Sequence, residues 1–245
     1  METKLNVEIL AHTPNPDEIV AMGGKLCYST SDIKGTQENL TDKEIKKFVN
    51  MLVKMGHESP LEHSTFTFGM EGVSRSLLAQ ITRHRIASYS VKSQRYVGEN
   101  QFKFIIPKEI KNDTIAHKVF LDHMKNTQDV YNNITENLYE KYLNDGMGES
   151  QAEKKAIENA RAVLPNACET KIIMTMNARN LLHFFNKRSC NRAQDEIREL
   201  SDKMLELVRG VAPSLFKFAG ADCTYGKCGE GIMSCNSPRS DLRVI

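Results

Sequence analysis

Residues 83–96, RHRIASYSVKSQRY, concentrate Arg83, Arg85, Lys92 and Arg95 with His84, three serines and two tyrosines, and contain no Asp or Glu. The whole chain carries a formal net charge of only +2. Arginine forks match phosphate oxygens two at a time, and hydroxyls such as those of Ser88, Ser90 and Ser93 can complete an anion cradle. A solvated basic face is the plain alternative, because runs of charge commonly end that way. A salt-bridged surface would intersperse carboxylates, however, and this stretch has none, so an anionic ligand is favoured. Just upstream, a helix read over residues 74–84 puts Gln80, Arg83 and His84 on one face, away from its apolar stripe of Leu77, Leu78 and Ile81.

Three further segments carry polar chemistry. GHESPLEH offers His57, Glu58, Glu62 and His63. Its histidines are six apart and Pro60 interrupts any helix, so the i, i+4 pair of a helical zinc site is missing. No metal is expected there; a turn whose His57 and Ser59 touch a ligand is the better reading. ARAVLP sets Arg161 near a helix end, just before Pro165. MNARNLLHFFNKR puts Asn177 at a strand end, Arg179 and His183 four apart on one helical face, and Arg188 at the far end. The macrodipole alone favours cations at a helix C-terminus, yet strand-to-helix junctions are also frequent ligand sites in folds with packed sheets. The C-terminal stretch spaces Cys223, Cys228 and Cys235 as C-x4-C-x6-C. Zinc sites prefer tighter C-x2–4-C pairs and four ligands, so a loop with ordinary thiols is expected.

The elements that must position these groups follow from periodicity. LNVEIL reads as a strand. TDKEIKKFVNMLVKM reads as a helix opened by a Thr41/Glu44 capping box, with Ile45, Phe48, Val49, Leu52 and Val53 on one face and Gly56 at its end. STFTFGMEG alternates, which predicts a strand facing Phe66, Phe68 and Met70 to one side. A long helix is predicted from about Asp113 to Leu143, and a second capping box, Ser150/Glu153, for a helix stopped by Pro165. ETKIIMTMN has the β-branched, alternating character of a central strand, and helices are expected near 178–188 and 193–209. Strands do not alternate strictly with helices, so the expected class is α+β, a mixed or antiparallel sheet flanked by several helices. Residues 1–220 are expected to form one catalytic domain, with 221–245 as a cysteine-containing tail.

At 245 residues, 40% hydrophobic and 26% charged, the chain is long enough to bury a sizeable core. It has no apolar run long enough for a membrane span, and METKLNVEIL lacks the layout of a secretory signal. Six cysteines in a chain of this size then read as free thiols in a reducing cytoplasm.

Arg83-His84-Arg85, seven residues, then Ser93-Gln94-Arg95 reproduces a pattern, RHR-x7-S-x-R, that resembles the signature of the flavin-dependent thymidylate synthases. GHESPLEH, Gln80 three residues before the RHR, ARAVLP and MNARNLLHFFNKR are similar to that family's other blocks, in its order, over residues 57–188. The resemblance implies an α+β homotetramer with FAD sites shared between subunits. It also implies conversion of dUMP to dTMP, with methylenetetrahydrofolate as carbon donor and NADPH reducing the flavin. Carried over by position, the flavin would be held by His57, Ser59, Arg83, His84, Arg85, Asn177, Arg179 and His183. The dUMP pocket would comprise Gln80, Arg83, Ser93, Gln94, Arg95, Arg161 and Arg188, with backbone amides of residues 91–95. Arg188 matches the arginine that holds the pyrimidine and favours ionisation at N3, the catalytic assignment. Two positions depart from the pattern: Val91 replaces a residue that is often acidic or an amide, leaving only backbone there, and His183 stands where some relatives have asparagine. The tail cysteines lie outside these blocks.

Uracil is a poor carbon nucleophile, and two protein nucleophiles could activate it without flavin. Cys190, two residues after Arg188, is the one tempting thiol. Ser93 has cationic neighbours but no evident general base. Flavin chemistry needs neither, which makes Ser93 a phosphate ligand. A nucleic-acid-binding domain with residues 83–96 as its basic, tyrosine-bearing patch is the competing class, as is a non-flavin nucleotide transferase. A broad basic surface and a recognisable nucleic-acid module are both missing from the sequence, so nucleic acid is not an expected partner.

Overall fold

Thr41 starts one helix as the sequence predicts. Its hydroxyl oxygen accepts from the Glu44 amide at 3.4 Å, while the Glu44 carboxylate accepts from the Thr41 amide at 3.0 Å, the reciprocal box read from the sequence. The computed structural model describes residues 1–244. In chain order it contains β1 (Asn6–His12), α1 (Pro16–Leu26), α2 (Ile33–Glu38), α3 (Asp42–Met55), β2 (Thr65–Ser74), α4 (Arg75–Ile81) and β3 (Ser88–Val91). There follow α5 (Lys108–Asn112), α6 (Thr114–Asn144), α7 (Glu149–Ala160), β4 (Glu169–Asn177), α8 (Ala178–Arg188) and α9 (Asp195–Val211). The strands form one antiparallel sheet in the order β1-β2-β4-β3. The class is α+β, and β4 is an interior strand, as its apolar alternation predicts. No helix among the described residues is long and apolar enough to cross a membrane.

The described residues divide into two compact units. The first comprises residues 1–6, 70–80 and 90–172. Its core gathers Phe102, Phe104, Ile106, Met124 and Cys168, with Phe120 of α6 edge-on to Phe104 at 5.9 Å. Gln128 of α6 stitches the preceding segment to this core, accepting from the Phe102 amide (2.8 Å) and donating to the Glu99 carbonyl (2.9 Å). Burial pushes the Cys168 thiol up to about 11, so it is an inert core residue. Gly72, in β2, has φ +65°, and a Cβ there would lie 1.9 Å from the Lys4 carbonyl oxygen. Its amide donates to the buried Glu169 carboxylate at 3.1 Å.

The second unit comprises residues 7–69, 81–89 and those from 173 onward. A run of edge-to-face rings forms its centre: Phe66 to Phe216 (5.4 Å), Phe216 to Phe185 (5.9 Å) and Phe185 to Phe184 (5.8 Å), all fully buried. The buried positions of α8 (Leu181, Phe184, Phe185) and α9 (Ile197, Leu200, Met204, Leu205, Val208) recur at helical spacing, which is why both segments are legible as helices.

Three local expectations are corrected. The helix expected over 74–84 ends at Ile81, so Gln80, Arg83 and His84 share no helical face. The His84 amide turns back to the Ile81 carbonyl at 3.1 Å, and the Tyr89 hydroxyl lies 2.8 Å and 2.9 Å from the Ile81 and His84 carbonyls. Those contacts satisfy the terminal carbonyls and release the chain into β3, a strand that the residue pattern does not announce. The Ser150/Glu153 capping box is also absent. α7 starts two residues earlier, behind an extended Gly148 with no side-chain cap, which places Ser150 inside the first turn. GHESPLEH is not wholly irregular: residues Ser59–His63 form a 3-10 turn, with Pro60 at its start and Pro60 and Leu61 buried.

Candidate active site

β4 delivers the chain to α8 through Asn177. Its side-chain oxygen accepts from the Asn180 amide at 3.0 Å, a standard N-cap that fixes where the helix begins. From that start, Arg179 and His183 fall on the outer face of α8, while Leu181, Phe184 and Phe185 anchor the inner one. Arg179 is gripped by the 3-10 turn: its Nε lies 2.8 Å from Glu58 and its Nη1 2.5 Å from Glu62. The acidic residues of GHESPLEH thus serve as arginine partners, a role their spacing alone could not disclose.

The second unit carries an open cavity of about 920 Å³. Arg83, His84 and Arg85 border it from the turn after α4, and Arg179, His183 and Arg188 from α8. Six residues predicted from two separate motifs therefore meet in one place. Lys187 and Arg192 add to the charge. The bordering carboxylates are already engaged: Glu58 with Arg179, Glu230 with Arg192 at 3.0 Å, and Asp222 with the Asn186 amide. Among the described residues, neither Arg83 nor Arg85 forms an ion pair. The cavity is short of negative charge, the condition an anionic ligand would relieve.

His84 is the pivot of this wall. Its ring stands edge-on to Phe184 at 4.9 Å, extending the aromatic run of the core, and 5.9 Å from His183. Its Nε2 lies 3.0 Å from Nε of Arg188, which is always protonated and can only donate. Nε2 is therefore the acceptor, and the ring proton sits on Nδ1. Burial, then the Arg188 charge, then His183, pull the His84 pKa down to about 4. Burial and the Arg83 charge likewise lower that of Arg188.

The direction of the His84 shift predicts a pH effect. Between pH 6.5 and about 4 the unfolded imidazole takes up a proton that the folded one refuses. The stabilisation is thus fully present above 6.5 and is lost as pH falls to about 4. The thermal midpoint should drop across that window, and His84→Gln should flatten part of the drop. An NMR titration that found His84 protonating near 6.5 would contradict the arrangement.

The remaining predicted residues lie elsewhere. His57 borders a second, smaller cavity of about 490 Å³ with Phe48, Met51 and Leu52. Ser59 opens the 3-10 turn. Gln80, Ser93, Gln94, Arg95 and Arg161 belong to the first unit. There the Ser93 hydroxyl accepts from the Arg95 amide (3.1 Å), Gln94 donates to Cys168 Sγ (3.4 Å) and Arg95 pairs with Glu158 of α7 (2.8 Å). Arg161 follows α7 in a short 3-10 turn, with Leu164 extended ahead of Pro165. Sequence reasoning misses the part played by the tail: Asp222, Cys223, Cys228 and Glu230 border the large cavity beside Cys190. No periodicity marks that segment, so only its long-range contacts could reveal it.

The family model described as thymidylate synthase complementing protein matches residues 8–214. The flavin-dependent thymidylate synthase of Clostridium tetani is 53% identical over 231 residues, covering 94% of this chain and 93% of that one. The chain belongs to the flavin-dependent thymidylate synthase family. The Geobacter sulfurreducens member is 43% identical over 244 residues, 98% of each chain, and the Nitratidesulfovibrio vulgaris member 42% identical over 235 residues, 94% of this chain and 93% of that one. Both halves of the RHR-x7-S-x-R pattern and the whole of α8 fall inside the matched family segment. Flavin-dependent thymidylate synthases are thus what this chain is similar to over nearly its full length, including the tail beyond residue 214.

Proposed function

We propose that this protein methylates dUMP to dTMP, taking the carbon from methylenetetrahydrofolate and its reducing power from NADPH through FAD. Membership of the family supports the reaction class. The observation that carries the site is the cationic border of this cavity, where Arg83, Arg85, Arg179 and Arg188 gather and where, among the described residues, neither Arg83 nor Arg85 forms an ion pair. Its volume and charge suit an anionic, multi-ring ligand, and FAD fits that description. When bound, the flavin supplies the hydride that the methylene group needs to become a methyl group.

This chain's residues then have separable tasks. Arg83, His84, Arg85, Arg179 and His183 border the cavity and are proposed to hold the flavin, with Asn177, His57 and Ser59 as the flanking positions the resemblance implies. Gln80, Ser93, Gln94, Arg95 and Arg161 are proposed to hold dUMP, together with Arg83 and Arg188. Arg188 sits beside a neutral imidazole and another guanidinium. A cation so placed stabilises negative charge on a pyrimidine ring and raises the nucleophilicity of its C5. The family resemblance supports a homotetramer whose sites draw on more than one subunit, and six free cysteines support a cytoplasmic setting.

The direct test is to purify the protein and look for flavin absorbance, then follow labelled dUMP into dTMP with methylenetetrahydrofolate and NADPH. A colourless protein that cannot be reconstituted with FAD, or a flavoprotein that forms no dTMP, overturns the proposal.

Ser93 offers a second check. Its hydroxyl oxygen accepts from the Arg95 amide in a local turn, which leaves its own O–H proton to donate to an anion. Ser93→Ala should retain turnover at saturating dUMP while KM for dUMP rises roughly tenfold or more, the scale of one hydrogen bond to a charged group. Total loss of chemistry at saturating dUMP would make Ser93 a nucleophile instead.

A further inference from the structure

Arg239 lies beyond the family segment that ends at residue 214, in a stretch without helix or strand periodicity, yet it is 7% exposed. A buried guanidinium is costly unless every donor has a partner. Here Nη1 donates to the Ser189 carbonyl, Nη2 to Asp202 of α9 at 2.8 Å, and Nε and Nη2 reach Asp241 at 3.1 Å and 2.8 Å. Ser189 is the C-cap of α8, the residue directly after Arg188, and is itself fully buried. Its hydroxyl pairs with Ser201 of α9 at 2.9 Å.

The same segment holds the turn between α8 and α9 at further points. Asn191 donates to the Ser237 carbonyl at 2.9 Å. Arg192 reaches both Glu230 and the Met233 carbonyl at 3.0 Å. Every residue from 189 to 192 except Cys190 is thus tied to residues 230–239. Cys190 borders the cavity with Cys223 and Cys228. The tail is a strap across the turn that follows Arg188.

We propose that Arg239 is a positioning residue: its buried fork clamps the Ser189 carbonyl to α9 and so sets the angle at which Arg188 meets His84 and enters the cavity. The proposal rests on the functional reading above for its kinetic consequences, though not for its structural one. Lysine cannot replace the fork, because one ammonium cannot serve Ser189, Asp202 and Asp241 in the same planar arrangement.

The test is a double-mutant cycle on the full-length flavin-loaded enzyme, with a spectroscopic readout alongside. Arg239→Gln should lower kcat/KM for dUMP about 100-fold, the scale of a misplaced catalytic group. In an Arg188→Ala background the same change should cost less than about threefold, because the two residues act in series. Equal losses in both backgrounds would assign Arg239 a general structural role and overturn the proposal. Independently of activity, the ¹⁵N shift of His84 Nε2 at pH 7 should move in Arg239→Gln towards its value in Arg188→Ala. An unmoved shift also overturns it. Arg239→Lys supplies both measurements where the glutamine variant does not fold, with the same expected direction. If the wild-type protein forms no dTMP, the functional reading fails while the His84 shift still decides whether Arg239 sets Arg188.

Discussion

Arg188→Ala is expected to lower kcat for dTMP formation about 10²–10³-fold, with the protein still folded and still able to take up flavin. The scale is that of deleting one preorganised donor to a developing negative charge. The placement of Arg188 supports that proposed role. Arg188 is the last residue of α8, partly buried, with its Nε committed to His84 at 3.0 Å and Arg83 close enough to lower its pKa. A guanidinium held against its own electrostatic preference interacts more strongly with an arriving anion than a solvated one does. Removing it also leaves His84 Nε2 without its donor, so the imidazole pKa should rise from about 4 as the neighbouring charge disappears. The combined signature, a fall in kcat with a change in His84 titration, separates loss of this contact from simple unfolding. Near-normal kcat would show that the ring is activated by another group.

Gly72→Ala should be the most damaging small substitution in the first unit, destabilising by more than about 4 kcal/mol. Two independent penalties add. At φ +65° an alanine sits in the left-handed region, which costs about 1–2 kcal/mol. Its Cβ would then lie 1.9 Å from the Lys4 carbonyl oxygen, a backbone atom that cannot rotate aside. Relieving the clash means parting Lys4 from β2 and breaking the Gly72 amide's bond to Glu169. For a chain of this length the thermal midpoint should fall by about 10 °C or more. Gly56 supplies the control. It has φ +70°, and a methyl group added there would meet no atom within 4 Å, so Gly56→Ala should cost only the conformational part, about 1–2 kcal/mol. Equal losses at both positions would refute the clash.

What is legible in the sequence is what repeats locally. The Thr41/Glu44 box, the alternation of Phe66, Phe68 and Met70, and the spacing of Leu181, Phe184 and Phe185 each state a period within a few residues, and the matching elements are present. The failures also have local causes. α1 escapes a reading by periodicity despite Pro16 at its first turn with Asp17 and Glu18 behind it, because the Gly23-Gly24 pair masks its apolar period. The helix before the RHR triplet reads too long because Thr82 and Arg83 are tolerable helix residues. What stops it is Tyr89, which reaches back to the Ile81 carbonyl from beyond the turn. At the site, residue types are legible and pairings are not. Glu58 and Glu62 look like weak metal ligands until Arg179 is seen between them. The tail's closure over residues 189–192 depends on contacts up to 50 positions apart.

The contact from Arg188 Nε to His84 Nε2 limits what can stand in for arginine at this position. Serving an imidazole and a bound anion together takes a side chain with donors on separate edges. A lysine preserves the charge and forfeits one of the two duties, so Arg188→Lys is a less conservative exchange than charge alone suggests. At this position the shape of the cation matters as much as its charge.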